Sequence, residues 1–452
     1  MSQDTIFALS SGPPPAGIAV IRISGPQAGP ALTALAGKLP TPRRATLATL
    51  AHPQDGAHLD RTMVLWLPGP GTATGEDSAE LHLHGGRAVV AAVEAALATL
   101  PGLRRAQAGE FTRRAFAHGR IDLAEAEGLA DLLSAETELQ RRAALAMAEG
   151  TFSREVESWR ATLLQLSARL EAALDFSDED DVGAGEDTLP SGFIADCTKL
   201  AQDLETWLTR PRAEPLKEGF RVVLAGPPNA GKSTLFNALV EQEAAITAAE
   251  PGTTRDVLTH ACALDGIPFV FVDTAGLRDE GAGEIERIGI ARAKAAAQKA
   301  DLILWLGPEG EGPEGEGPEG ERPDLSSSFP RRRESSLWEV SARADDPTAP
   351  RKSPSAIHLS ARTGEGMDHL REALITHARQ SLPAPGEAAL NQRQHTLLSD
   401  VAQSLHHATT EPDPLLAAEN LRLARRSLDA LIGRTSTEDM LDTLFGKFCI
   451  GK

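Results

Sequence analysis

The chain runs to 452 residues with a formal net charge of −19, long enough for about two to four domains and too acidic for a broad nucleic-acid-binding face, though a local basic patch stays open. Its three cysteines, Cys197, Cys262 and Cys449, are far apart and lack Cys-x-x-Cys spacing, which implies neither a disulfide framework nor a zinc site and suits a reducing cytosol. No run of about 18 or more apolar residues occurs and no basic segment leads into an apolar one at the N-terminus, so the reading is a cytoplasmic protein with no membrane segment.

Residues 1–118 read as a mixed α/β domain. Ile18 to Ile23 and Met63 to Leu67 are β-rich runs, Glu80-Leu81-His82-Leu83-His84 alternates with period two, and Val89 to Leu100 has helical spacing. Arg22 interrupts an otherwise apolar strand, either as a solvated edge residue or as a site residue. Glu76, Asp77 and Glu80 fall close to His82 and His84, a spacing that strand alternation explains better than metal ligation.

Residues 119–215 read as helical. Leu129, Leu132 and Leu133 fit one face of a helix, and Leu163, Leu166, Leu170 and Leu174 step by three and four. The acidic block from Asp175 to Asp181 reads as a solvated loop. A further helix is expected over about 191–209, before Pro211 and Pro215 mark a linker.

Residues 216–380 alternate strands with helices, as a mainly parallel sheet requires. The apolar run Val222-Val223-Leu224-Ala225 feeds Gly226-Pro227-Pro228-Asn229-Ala230-Gly231-Lys232-Ser233, and Thr234 to Leu239 continues as a helix. Such a turn aims backbone N–H groups and a helix dipole at one point, where phosphates can sit. Lys232 is then expected to reach the β- and γ-phosphates and Ser233 to ligate Mg²⁺. Gly252-Thr253-Thr254-Arg255-Asp256 offers a second hydroxyl to the metal, and Phe269-Val270-Phe271-Val272 ends in Asp273-Thr274-Ala275-Gly276. There Asp273 can hold Mg²⁺ through water and Gly276 can approach a γ-phosphate. These three elements in this order specify a GTPase. After the strand Leu302 to Leu306, Gly307 to Gly320 and Ser326 to Ser336 carry too little apolar surface to offset chain entropy, and 307–355 is read as an atypical, disordered insertion. The base-reading loop that follows Leu337 to Val340 is Ser341-Ala342-Arg343-Ala344-Asp345. Asp345 can accept hydrogen bonds from guanine, while Ala342 and Arg343 stand where Asn and Lys are usual; the stem of Arg343 can cover the base. Ser360-Ala361-Arg362 forms a second base-side loop.

Residues 381–452 return to helix. Leu397, Val401 and Leu405 line one face, as do Leu421, Ala424, Leu428 and Leu431, and Arg422, Arg425 and Arg426 read as a solvated or ion-paired face. The terminal Phe448-Cys449-Ile450-Gly451-Lys452 lacks the aliphatic pair that prenylation needs.

With these motifs together, and with Thr74-Gly75-Glu76-Asp77, His84-Gly85-Gly86, Gly109-Glu110-Phe111-Thr112 and Asp122-Leu123-Ala124-Glu125-Ala126-Glu127, the chain closely resembles the tRNA modification GTPase MnmE (TrmE) family. Only about 307–355 departs from that pattern. The resemblance implies a multidomain α/β plus all-α protein. Its parts are an N-terminal α+β domain that binds folate and dimerises, a helical domain in two segments, and a P-loop, Ras-like GTPase domain inserted into it. It also implies work with an FAD-containing partner, MnmG, on carbon 5 of the wobble uridine of certain tRNAs, the homodimer and partner forming a heterotetramer. The one-carbon donor would be 5,10-methylenetetrahydrofolate or a 5-formyl analogue.

Carried over residue by residue, the family's folate contacts fall on Arg22, Glu80, Arg120 and Lys452, with Arg120 where Lys is common. Its GTP contacts fall on Asn229, Ala230, Gly231, Lys232, Ser233 and Thr234, on Ala248, Ala249, Glu250, Pro251, Gly252, Thr253 and Thr254, on Asp273, Thr274, Ala275 and Gly276, and on Asp345, Ser360, Ala361 and Arg362. Mg²⁺ would take Ser233 and Thr254; K⁺ would take Asn229, Ala248, Glu250 and Thr253 when two GTPase domains meet. Leu277 stands where a Ras-like enzyme has its water-positioning Gln. The resemblance supplies Glu286 instead, which would orient the attacking water as a catalytic residue beside Lys232. Cys449 stands either near the one-carbon chemistry or as a small buried hydrophobe. The rival reading is a GTP-switched ribosome or RNA assembly factor without one-carbon chemistry; a third is a scaffold that binds nucleotide weakly.

Overall fold

Alternation builds the N-terminal sheet. The structure, a computed structural model, describes residues 4–175, 189–227, 229–240, 258–273, 299–307, 336–345, 356–435 and 438–451. They fall in two compact units, one of Met1–Ala130, Met147–Leu200 and Asp400–Lys452, the other of Asp131–Ala146 and Ala201–Ser399. In the first, β1 (Thr5–Leu9), β2 (Ile18–Ser24), β3 (Thr46–Ala51), β4 (His58–Leu67), β5 (Ser78–His84) and β6 (Leu103–Arg105) pair in the order β3-β4-β5-β2-β1-β6. Successive side chains point to opposite faces. One set, with Ile21, Ile23, Val64, Trp66, Leu81 and Leu83, packs under α1 (Ala28–Ala36) and α2 (Arg87–Ala98). The other set faces away and holds Arg22, Glu80 and His82 with Leu47 (63% exposed), Ile18 (61%) and Met63 (41%). One end of this open face is covered by α3 (Glu110–Ala117), whose Phe111 joins Ile6, Ala8 and Ala106. β2 lies inside the sheet between β5 and β1, which overturns the reading of Arg22 as an edge residue.

Four helices follow: α4 (Leu123–Ser134), α5 (Glu138–Ala148), α6 (Thr151–Asp175) and α7 (Phe193–Leu208). Leu163, Leu166 and Leu170 are buried as their spacing predicts. The face expected on α4 needs correcting, because Leu133 is 46% exposed and the buried positions are Leu123, Ala124, Ala126 and Gly128. Small residues win there because α5 approaches closely: a Cβ on Gly128 would meet Met147 Cβ at 2.7 Å. Of the acidic block, residues 176–188 lie outside the described residues.

In the second unit, after the short α8 (Ala213–Glu218), β7 (Phe220–Ala225), β8 (Leu258–Leu264), β9 (Ile267–Asp273), β10 (Leu302–Trp305), β11 (Ser336–Ser341) and β12 (Ile357–His358) pair in the order β12-β11-β10-β7-β9-β8. All neighbours are parallel except β8 and β9, joined by a two-residue hairpin turn at Asp265 (φ 49) and Gly266 (φ 73). Parallel strands are buried on both faces, so their sequences run apolar without alternation. The helices α9 (Lys232–Val240) and α10 (Met367–Ser381) supply Leu235, Leu239, Leu370 and Leu374 to the same core. β7 has β9 on one side and β10 on the other, so the order reverses at its carboxyl end, where open parallel sheets bind ligands. Of the stretch 307–355, Ser336–Ser341 is the strand just named, while 308–335 and 346–355 lie outside the described residues.

The last three helices are α11 (Gln392–Thr410), which begins in the second unit's residues and ends in the first's, α12 (Pro414–Leu431) and α13 (Glu438–Phe445). Asp413 caps α12 by accepting from Leu415 N at 2.8 Å, with Pro414 where a missing N–H costs nothing. Leu421, Ala424, Leu428 and Leu431 are fully buried, and Arg160 on α6 holds Asp429 at 2.7 Å. On α11 the buried row is Leu398, Val401 and Leu405; Leu397, expected there, is only half-buried one step around the helix. The chain then returns to the N-terminal sheet. Phe445 and Phe448 pack with Leu123, Ile450 bridges to Ala108, and Gly451 (φ 98) turns where a Cβ would stand 2.1 Å from Leu9 O.

Candidate functional site

The turn after β7 has the backbone that its glycines permit. Gly226 (φ 148) and Gly231 (φ 92) adopt conformations that a Cβ disfavours, and Asn229 (φ 61) is left-handed. Lys232, 6% exposed, curls back so that Nζ donates to Gly226 O at 2.9 Å and Pro227 O at 2.8 Å. Ser233 Oγ donates to Asp273 Oδ2 at 2.8 Å, and Asp273, at the tip of β9, is fully buried. An ammonium at the mouth of the turn and a hydroxyl–carboxylate pair beside it provide the groups that phosphates and a divalent cation need.

The base side comes from the ends of β11 and β12. Leu359 N donates to Ser341 O at 2.9 Å and Ala344 N to Leu359 O at 3.0 Å, and Arg343 and Ser360 form a bridge. Ser360 is buried and accepts from Thr363 N at 3.2 Å, while Asp345 and Arg362 are exposed. Arg343 Nη2 donates to Asn229 O at 2.6 Å, tying the base-side loop to the phosphate turn. The structure thus gathers Asn229, Ala230, Gly231, Lys232, Ser233, Thr234, Asp273, Asp345, Ser360, Ala361 and Arg362 at the carboxyl ends of the strands of one sheet. Ala248, Ala249, Glu250, Pro251, Gly252, Thr253, Thr254, Thr274, Ala275, Gly276 and Glu286 lie outside the described residues.

On the open face of the first unit, Arg22 and Glu80 stand opposite each other across β2 and β5. Glu80 Oε1 accepts from Arg22 Nε at 3.2 Å and Nη2 at 3.1 Å, and the guanidinium lies 5.9 Å from the Phe111 ring centroid. Arg120 is exposed beside the Thr74–Gly75 turn, where a Cβ on Gly75 would meet its Cγ at 3.4 Å. Lys452 lies outside the described residues. Cys449 is exposed, which removes its reading as a buried hydrophobe. The other two thiols are buried, and burial pushes Cys197 up to about 12 and Cys262 up to about 11, so neither suits nucleophilic work at neutral pH.

Two networks escaped the sequence reading. Arg114 reaches Glu76 Oε2 at 3.1 Å, Glu110 Oε1 at 3.2 Å and Asp4 Oδ1 at 3.1 Å, and Arg104 holds Glu110 Oε2 at 2.8 Å. Burial alone would raise the Glu110 carboxyl, but hydrogen bonds from Arg104, Gln107 N and Arg114 hold it below the usual range. Ser24 Oγ donates to Glu76 Oε2 at 2.7 Å, so the turn before β5 is braced two residues from Arg22. Glu76 and Glu110 were visible within motifs; nothing local marked the arginines as their partners. The second is Asp60, with Oδ1 2.7 Å from His84 Nδ1. Among the described residues no group of three or more His, Cys, Asp or Glu could hold a metal. Arg422 pairs with Glu419 at 2.6 Å, as an ion-paired face requires.

Two family models match: "GTP-binding protein TrmE N-terminus" over residues 5–120 and "MnmE helical domain" over 123–449. The chain is 78% identical to the tRNA modification GTPase MnmE of Novosphingobium aromaticivorans, covering 99% of this chain and 100% of that one. The chain belongs to the MnmE family of tRNA modification GTPases. A second MnmE, from Erythrobacter litoralis, is 56% identical over 100% of both chains. Among solved structures, Aquifex aeolicus Era bound to GDP.AlF4- is similar at 22% identity and a TM-score of 0.25, over 43% of this chain and 69% of that one, which adds nothing to the assignment. As an MnmE-family protein the chain is a GTPase that acts in tRNA modification, with a TrmE N-terminal domain and an MnmE helical domain. No helix among the described residues is long and apolar enough to cross a membrane.

Proposed function

We propose that this GTPase works with an FAD-containing MnmG-type partner to add an aminomethyl or carboxymethylaminomethyl group to carbon 5 of the tRNA wobble uridine. The observation that carries the reading is the Arg22–Glu80 pair under Phe111 on an open sheet face, in one unit with the docked C-terminal segment that bears Cys449. A paired carboxylate and guanidinium beside an aromatic ring fit a flat, polar heterocycle such as the pterin of a tetrahydrofolate. Arg22, Glu80, Arg120 and Lys452 would hold it, and when bound it supplies the one-carbon unit. The apolar residues of the open face, Leu47, Met63 and Ile18, support pairing of two copies there. A tRNA substrate supports a cytoplasmic location.

In the GTPase part, Lys232 would bind the β- and γ-phosphates, with the N–H groups of Asn229 to Thr234 around them. Ser233 and Thr254 would ligate Mg²⁺, and Asp273, already hydrogen-bonded to Ser233, would orient that ligand. Asp345 reads guanine, with Ser360, Ala361 and Arg362 on its other side. Glu286 would orient the attacking water, and Asn229, Ala248, Glu250 and Thr253 would hold a K⁺ that supplies positive charge to the site when two GTPase domains meet. The domain division in this reading is 1–118, 119–215, 216–380 and 381–452.

The test has two arms on the full chain. GTP hydrolysis is measured in KCl and in NaCl with ATP as competitor, and binding of 5-formyltetrahydrofolate is measured by calorimetry. The reading expects hydrolysis that needs K⁺, ignores ATP and disappears in Glu286→Ala, together with folate binding that Arg22→Ala abolishes. GTPase activity without any folate affinity would instead favour an RNA assembly factor; equal use of ATP would favour a scaffold.

A further inference from the structure

β5 presents Glu80, His82 and His84 in a row to the open face. Glu80 Oε1 is taken by Arg22, and His84 Nδ1 by Asp60, whose other oxygen accepts His84 N at 2.9 Å. His82 differs. Its Nε2 is buried and makes no hydrogen bond, although Glu80 Oε2 is only 3.4 Å away. The two facts agree if the carboxylate lies off the N–H axis, close but not bonded. The cross-strand neighbours cannot help, because Met63 on β4 and Val20 on β2 stand opposite His82 in register. A buried polar atom left unpaired is costly, and one that faces a half-used carboxylate in a candidate site calls for an explanation.

We propose that His82 is a positioning residue for Glu80, its Nε2–H completing a hydrogen bond to Oε2 when Glu80 accepts N–H groups from the amino-pyrimidinone edge of a bound pterin. This rests on the tetrahydrofolate reading above. A carboxylate serves two parallel N–H donors only when its plane is fixed along their edge. Arg22 holds one oxygen from β2, and His82 holds the other from the same strand as Glu80. Because the bond is unmade without ligand, its formation favours only the bound state, and the energy goes to affinity rather than to folding.

The experiment compares the full-length wild type, His82→Leu, His82→Gln and Arg22→Ala by calorimetry with 5-formyltetrahydrofolate, and by thermal melting without it. His82→Leu should lose about tenfold in affinity, the worth of one hydrogen bond to a charged group, while its ligand-free Tm stays equal or rises because the unpaired atom is gone. His82→Gln, whose amide N–H can reach Glu80, should recover to within about threefold of wild type. Wild-type affinity in His82→Leu overturns the proposal and leaves the folate reading standing. So does a lowered ligand-free Tm with no recovery in His82→Gln, which would mark a merely structural side chain. A wild type that binds no folate overturns both.

Discussion

At the scale of single residues, Arg343 makes a contact that the sequence of the altered base loop did not announce. It stands where the sequence suggested only a stem to cover the base, yet its guanidinium reaches the carbonyl of Asn229 at 2.6 Å. That contact was illegible because it joins residues 114 apart in sequence. With Ala342 unable to hydrogen-bond, Arg343 becomes the side-chain link between base loop and phosphate turn. Arg343→Ala should raise KM for GTP about fivefold with kcat within about twofold, the effect of one charge-assisted hydrogen bond discounted for exposure. Arg343→Lys should keep most of the affinity. Steady-state GTPase kinetics decide it, and a fall in kcat at unchanged KM would contradict the assignment.

Among elements, legibility followed periodicity. β2, β5, β7 and β9 could be read because alternation or an unbroken apolar run marks them, whereas β8 could have been found only from the Asp265-Gly266 turn that pairs it with β9. The leucine face of α4 misled because close helix packing selects Gly128 and alanines over leucines. Two predictions belong to this scale. Glu110 at the start of α3 fastens Arg104 on β6 and Arg114 on α3, and although burial pushes its carboxyl up, the hydrogen bonds led by Arg104 hold it below the usual glutamate range. A carboxylate with a depressed folded pKa contributes stability above its unfolded value and loses it as pH falls through the folded one. Glu110→Gln should therefore cost about 2–3 kcal/mol at pH 7, with the gap to wild type closing below about pH 4.5 in urea titrations. The second concerns the chain end. Gly451→Ala places a Cβ against Leu9 O at a left-handed φ. The last residues should undock, with faster amide exchange at Ile450 and folate affinity down by about tenfold or more, while the melting of the helices barely changes.

For the whole molecule, the proposed folate site and the proposed nucleotide site fall in different units, and under the proposed function pairing of copies is what couples them. The motifs made the nucleotide part readable because phosphate binding fixes residue types at fixed spacing. The open sheet face stayed hidden because its apolar residues, Leu47, Met63 and Ile18, alternate like any half-buried strand. Leu47 and Met63 are direct cross-strand partners, so a charge at each puts two like charges in the middle of that patch. If two copies meet there, each GTPase domain sees the other at an effective concentration in the millimolar range rather than at the bulk micromolar one. The double variant Leu47→Glu, Met63→Glu should then sediment as a monomer. Its K⁺-stimulated hydrolysis at about 1 µM enzyme should fall by about tenfold or more, while the rate without K⁺ stays put because Lys232, Ser233 and Asp273 are untouched. Raising the enzyme concentration should restore part of the K⁺ effect, since bulk encounter then replaces the lost tether. A variant that remains dimeric, or a monomer with the full K⁺ response, would show that the open face is not what brings the GTPase domains together.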